Sequence, residues 1–143
     1  MNRDKKARIL VVDDEQDFLH FIKVNLEKTG RFQIDAFTSP AEALNWLDMI
    51  KPDLALLDIK MPAMDGCEIA FRLKSSEETR DVPVIFLSVL EEMRDKVAAF
   101  AAGGADYITK PFHADEVLAR VRAHLALHRM QSDLGRLTDE NTV

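Results

Sequence analysis

Short apolar runs alternate with helix-period segments along this 143-residue chain. Ile9 to Val12, Leu54 to Leu57 and Pro83 to Leu87 are continuous apolar runs, the mark of strands covered on both faces. Ala105 to Ile108 reads as a last, shorter strand. Phe32 to Phe37 alternates instead, with Phe32, Ile34 and Ala36 against Gln33 and Asp35, which predicts a more exposed edge strand. Between the strands, Phe18, Phe21, Ile22 and Leu26 recur at helical spacing, and Thr29-Gly30 should stop that helix. Ser39-Pro40-Ala41-Glu42 starts a second helix, with Ser39 as N-cap and Pro40 at the first helical position. Its residues Ala43, Leu44 and Leu47 should face inward, and Lys51-Pro52 should end it. Ile69, Ala70 and Leu73 mark a third helix. Met93, Val97, Phe100 and Ala101 mark a fourth, closed by Gly103-Gly104. Val117, Leu118, Val121 and Leu125 begin the last. Such alternation predicts an α/β fold, a parallel sheet with helices on both faces.

Charged residues punctuate the strand ends. Asp13 and Asp14 close the first run, Asp58 closes the third, and Lys110 follows the last strand, just before Pro111. Open α/β sheets place their sites at the carboxyl ends of the strands, so these residues should meet. Carboxylates brought together repel unless a cation lies between them or one loses its charge. The pattern points to a divalent-metal site with a lysine beside it, a phosphate-handling arrangement.

The net charge of -6, with no Lys/Arg-dense block, argues against direct nucleic-acid binding. The lone Cys67 cannot form an internal disulfide. No signal peptide and no membrane-length apolar stretch is visible, so the expected location is cytoplasmic and no membrane partner is expected.

Asp13-Asp14, Asp58, the loop Met61-Pro62-Ala63-Met64-Asp65-Gly66, Ser88, Tyr107 and Lys110-Pro111-Phe112 occur in an order and at strand-end positions that are together specific. In these residues the chain resembles the response-regulator receiver domains of two-component signalling, over about residues 7–128. The resemblance implies a flavodoxin-like, doubly wound five-stranded parallel sheet in the order 2-1-3-4-5. It implies Asp58 as the phosphoacceptor, taking a phosphoryl group from the phosphohistidine of a sensor histidine kinase or phosphotransfer protein. It implies Mg²⁺ (or Mn²⁺) held by Asp13, Asp14, Asp58 and the backbone carbonyl of Lys60. Lys110 and Ser88 would contact the phosphoryl oxygens, and Ser88 and Tyr107 would switch together, repacking the face of the fourth helix, last strand and last helix. Homodimerisation through that face is one implied output. The Lys110-Pro111 bond is expected to be cis on the same ground.

Plainer readings stand beside these. Asp14 or Glu15 suits a helix N-cap, Tyr107 is also an ordinary sheet aromatic, and His20, His113, His124 and His128 lack metal-ligand spacing and read as structural or surface residues. Val89, next to Ser88, is bulkier than the family's usual residue and is expected to slow the approach of water or small phosphodonors. His113 stands where a helix cap is expected. A phosphatase with an aspartate nucleophile would carry a second Asp where Lys60 stands. A flavin protein would need a glycine- and hydroxyl-rich loop after the first strand, where this chain has Asp13-Asp-Glu-Gln-Asp. A receiver that signals without phosphorylation is the remaining alternative.

Leu127, Met130, Leu134 and Leu137 recur at spacings of three and four. Residues 129–143 are therefore expected to be a C-terminal helical extension or linker, either a solvated helix end or a dimer seam. No output domain is visible. The chain reads as the N-terminal receiver of a longer protein, with a stand-alone regulator as the alternative.

Overall fold

In the computed structural model, residues 6–59, 61, 66–89 and 105–140 are described. Five strands form one parallel sheet: β1(Ala7–Val12), β2(Phe32–Phe37), β3(Leu54–Asp58), β4(Val84–Val89) and β5(Asp106–Lys110). Their order is β2-β1-β3-β4-β5, all parallel, as expected. The helices are α1(Gln16–Glu27), α2(Pro40–Leu47), α3(Gly66–Ser75) and α4(Ala114–Glu140). The helix expected around Met93–Ala101 and its Gly103-Gly104 stop lie outside the described residues.

The two-residue period of the strands divides the core into two layers. Ile9 and Val11, Leu54 and Leu56, Ile85 and Leu87, and Ile108 point to one side, where α1 and α4 cover them with Leu19, Ile22, Leu26, Val117 and Val121. Leu10, Val12, Ala55, Leu57, Val84 and Phe86 point to the other, where Ala43 of α2 and Ile69, Ala70 and Leu73 of α3 close over them. Continuous apolar runs are needed because both faces are dry. β2, at the edge, keeps only Phe32 and Ile34 buried.

Local chemistry shapes the helix ends. Ser39 caps α2 by accepting the Glu42 N–H at 3.4 Å, with Pro40 in the first turn. α2 stops at Leu47 rather than running to Lys51-Pro52, because the chain tightens into a turn in which the Met49 and Ile50 N–H groups share the Trp46 carbonyl. Gly30 follows α1 with φ 75°, a left-handed turn that glycine adopts without strain. On α1 the inward residues are Leu19, Ile22 and Leu26. Phe21, which shares the helical spacing of this apolar set, stays 36% exposed at the edge of the apolar face. α4 runs unbroken to Glu140, and Leu127, Met130 and Leu134 lie exposed along it.

Candidate functional site

Parallel strands deliver their last residues to the same edge of the sheet. Asp13 follows β1, and its N–H continues the ladder by donating to the Phe37 carbonyl at 3.1 Å. Asp58 ends β3, next to β1, and Lys110 ends β5. Asp13, Asp58 and Lys110 are all almost wholly buried, whereas Asp14 is exposed. One ligand oxygen from each of Asp13, Asp14 and Asp58 falls within 4.8 Å of the others.

Lys110 joins this cluster. Its Nζ lies 2.7 Å from Asp13 Oδ2, 3.6 Å from Asp58 Oδ2 and 3.5 Å from Glu15 Oε1. Burial opposes the ammonium charge, but the hydrogen bond to Asp13 and the charges of Asp13, Asp58 and Glu15 outweigh it. The Lys110 ammonium is held above the ordinary lysine value. Asp58 is driven the other way for a carboxylate. Burial, then the like charge of Asp13, pushes it up to about 8; Lys110 only partly offsets this, and Asp14 adds to it. One ammonium thus faces a surplus of carboxylates, in a site that half-rejects the negative charge it was built with. Such an oxygen-rich donor set fits a hard divalent cation, and Asp13, Asp14 and Asp58 are the side chains placed to hold one.

The helix after β3 is packed tightly against the site. The Gly66 N–H donates to the Ile59 carbonyl at 2.8 Å, and a Cβ at Gly66 would collide with the Asp58 backbone oxygen. The first residue of α3 must therefore be glycine for the helix to start where it does. The Lys110-Pro111 bond is cis, as the resemblance implied.

Other expected residues are placed as follows. Ser88 belongs to β4, opposite Thr109 of β5, and its side chain lies outside the described residues, as do that of Val89 and the whole of Lys60. Tyr107 is half-buried and packs on the α2–α3 side of the sheet. Neither Asp14 nor Glu15 caps α1 with its side chain. Glu15 occupies the cap position but forms no side-chain cap bond, and its N–H donates instead to Asp13 Oδ1 at 3.0 Å. His113 precedes α4 and offers its carbonyl to the Val117 N–H. Among the histidines, His124 is structural: its Nε2 lies 3.0 Å from Asp106 Oδ2, beside Arg120.

Two neighbours of the site were missed from sequence. Glu15 reaches Lys110, and the Phe18 ring lies beneath the ammonium, 4.5 Å from Nζ to the ring centroid. The available signal was their position in the first turn of the helix that follows the acidic pair. The strand-end position marks Asp13 and Asp14 but does not extend to Glu15 and Phe18.

The chain is similar to known proteins over most of its length. A family model described as the response regulator receiver domain matches residues 9–122. The DNA-binding dual master transcriptional regulator RpaA of Synechocystis sp. is 39% identical over 121 residues, covering 82% of this chain and 48% of the relative. The chain thus spans about half the length of that curated relative. The signal receiver domain of a histidine kinase from Syntrophus aciditrophicus superposes with a TM-score of 0.77 at 34% identity, covering 84% of this chain and 90% of the other. NtrX of Brucella abortus superposes with a TM-score of 0.85 at 27% identity, covering 92% of this chain and 30% of that one. With the sheet order and the family model in agreement, this chain belongs to the response-regulator receiver domains of two-component signalling, a regulatory family rather than one of metabolic enzymes.

Proposed function

We propose that this receiver is a phosphorylation switch whose phosphoacceptor is Asp58. The observation that carries the reading is the meeting of Asp13, Asp14, Asp58 and Lys110 at one sheet edge, with Lys110 within 3.6 Å of the Asp58 carboxylate. The donor is a phosphohistidine on a sensor histidine kinase or phosphotransfer protein. An Asp58 oxygen attacks phosphorus, the P–O bond forms, the P–N bond breaks, and the imidazole leaves with a proton from solvent. Hydrolysis of the acyl phosphate later returns inorganic phosphate and a free carboxylate.

Asp13, Asp14, Asp58 and the Lys60 carbonyl are the groups that would hold Mg²⁺ (or Mn²⁺). When bound, the cation screens the repulsion between carboxylate and phosphoryl oxygens. Lys110 brings a fixed positive charge to the same oxygens, and its elevated pKa keeps it charged across the physiological range. Ser88 donates to another phosphoryl oxygen. Its shift toward the site lets Tyr107, half-buried on the neighbouring strand β5, repack the surface around β5 and α4. A covalent change at the site thereby biases a two-state surface.

The output lies in a longer protein, as in the curated relatives this chain half-covers, for which residues 7–128 are the receiver and 129–143 the extension or linker. RpaA is DNA-binding and the Syntrophus receiver belongs to a histidine kinase, so both kinds of output are compatible with this module. The exposed line Leu127, Met130 and Leu134 suits a dimer seam along α4. The protein acts in the cytoplasm, where its kinase has phosphohistidine; no helix among the described residues is long and apolar enough to cross a membrane.

Intact mass after incubation with acetyl phosphate, with and without Mg²⁺, tests the reading. One phosphoryl adduct that needs Mg²⁺ and is absent from Asp58→Asn is expected. If a histidine kinase or phosphotransfer protein also leaves no adduct, the module signals without phosphate.

A further inference from the structure

We propose that Phe18 is a positioning residue for Lys110: its ring is a platform that fixes the ammonium between Asp13 and Asp58. The proposal rests on the phosphoacceptor reading for its consequence, but not for its geometry.

Three carboxylates surround Lys110 Nζ on the polar side, at 2.7, 3.5 and 3.6 Å. A long, flexible side chain among several anions has several places to go. The Phe18 ring closes the remaining side, 4.5 Å from Nζ to its centroid. An aromatic face attracts a cation through its quadrupole and offers no hydrogen-bond acceptor that would draw it away from the acids. Lys110 is only 5% exposed, so water screens this attraction little. The ring therefore bounds the ammonium without tethering it, and Nζ can turn from Asp13 toward a group on Asp58 while staying over the same surface.

Phe18 is itself braced. Its ring lies 5.7 Å from that of Phe112, tilted by 48°, and Phe112 meets Phe21 at 5.9 Å. Phe112 is buried and follows Lys110 by two residues. The platform on α1 and the residue it supports on β5 are thus locked through one aromatic contact. Phe21, which sits outside the core, has its role here: it backs Phe112 from the helix surface. Confining Lys110 to this surface before the phosphoryl group arrives leaves only a short turn of Nζ where a free lysine would reorganise over a longer path.

The test uses the full chain with Phe18→Leu, which keeps apolar bulk without the ring, and Phe18→Tyr, which keeps the ring. With lysines isotope-labelled, the ε-methylene protons of Lys110, assigned by their loss in Lys110→Arg, are expected upfield of the other lysines in the wild type. Phe18→Leu should lose that displacement and Phe18→Tyr retain it. With acetyl phosphate and Mg²⁺, Phe18→Leu should form the adduct about three- to tenfold more slowly at saturating donor, with the half-saturating donor concentration unchanged. Phe18→Tyr should restore the rate. An upfield Lys110 signal that persists in Phe18→Leu, or a Phe18→Leu protein that forms adduct at the wild-type rate, overturns the proposal. If the signal behaves as expected while wild type takes no phosphoryl group, the platform stands and the phosphoacceptor reading falls.

Discussion

Two carboxylates in this molecule sit beside cations and are driven in opposite directions. Asp58, at the carboxyl end of β3, is pushed up to about 8 by burial and by the charge of Asp13. Asp106, at the amino end of β5, also loses water, yet is held below the usual carboxylate range. Contacts explain the difference. Arg120 donates to both oxygens of Asp106, at 2.9 and 2.7 Å, the Tyr107 N–H donates at 2.8 Å, and His124 Nε2 lies 3.0 Å away. Asp58 has one cation at 3.6 Å and two aspartates beside it. The Asp106 cluster is complete and fastens α4 to β5. The Asp58 cluster has more carboxylates than cations, so the Asp58 charge is disfavoured. The two carboxylates differ in how many donors their neighbours supply.

The largest expected effect concerns Asp58. Asp58→Asn should abolish the phosphoryl adduct by intact mass. It should also change the pH profile of metal-free protein. A carboxyl whose folded pKa is raised binds its proton more tightly folded than unfolded, so stability is greatest below the unfolded pKa. It should fall as pH rises from about 4 toward about 8. In chelator, the wild-type melting temperature should drop by several degrees across that window, the Asn variant should stay flat, and Mg²⁺ should restore only the wild type. A wild-type profile as flat as that of the variant would remove the contrast with Asp106.

Next is Lys110→Met. It leaves Asp13 and Asp58 buried without their cation and should cost about 3 kcal/mol in denaturant melts at neutral pH. Gly66→Ala should cost about 2 kcal/mol, because the methyl group meets the Asp58 backbone and α3 must move. The smallest effect belongs to the finished cluster. Arg120→Ala should cost about 0.5–1 kcal/mol at neutral pH, since the pair is partly exposed. Asp106 has a depressed folded pKa, so its contribution is present above the unfolded pKa and lost as pH falls through the folded value. Urea melts taken from pH 7 down into the acid limb should show the Arg120→Ala deficit at neutral pH and its progressive loss as Asp106 is protonated. A deficit that survives in acid would mean Arg120 acts through packing.

The strands and the acid site were legible because each depends on a local pattern. A run such as Leu54–Leu57 has one place to go, a sheet covered on both faces, and its terminal Asp58 then falls at the site edge. Ser39-Pro40 announced α2 through capping chemistry that needs only four residues. What was not legible depends on contacts between distant segments. Phe18 showed only helical spacing in the sequence, and the approach of β5 is what puts Lys110 over its ring. Phe21 fitted the helical period yet stayed at the rim, because Leu19 fills the inward position. The glycine ending Met61–Gly66 was visible, but its reason, the Asp58 backbone behind it, was not. Asp106, Arg120 and His124 gave no sequence signal as a group, since the two helical residues share a partner on a strand.

The acidic residues, the phosphoacceptor candidate and the lysine come from the first, third and fifth strands, and the fifth is the last to leave the ribosome. A chain still being translated holds Asp13 and Asp58 long before it holds Lys110. The acid cluster gains its buried cation only when the last strand has joined the sheet, so the site is completed by the final step of sheet assembly.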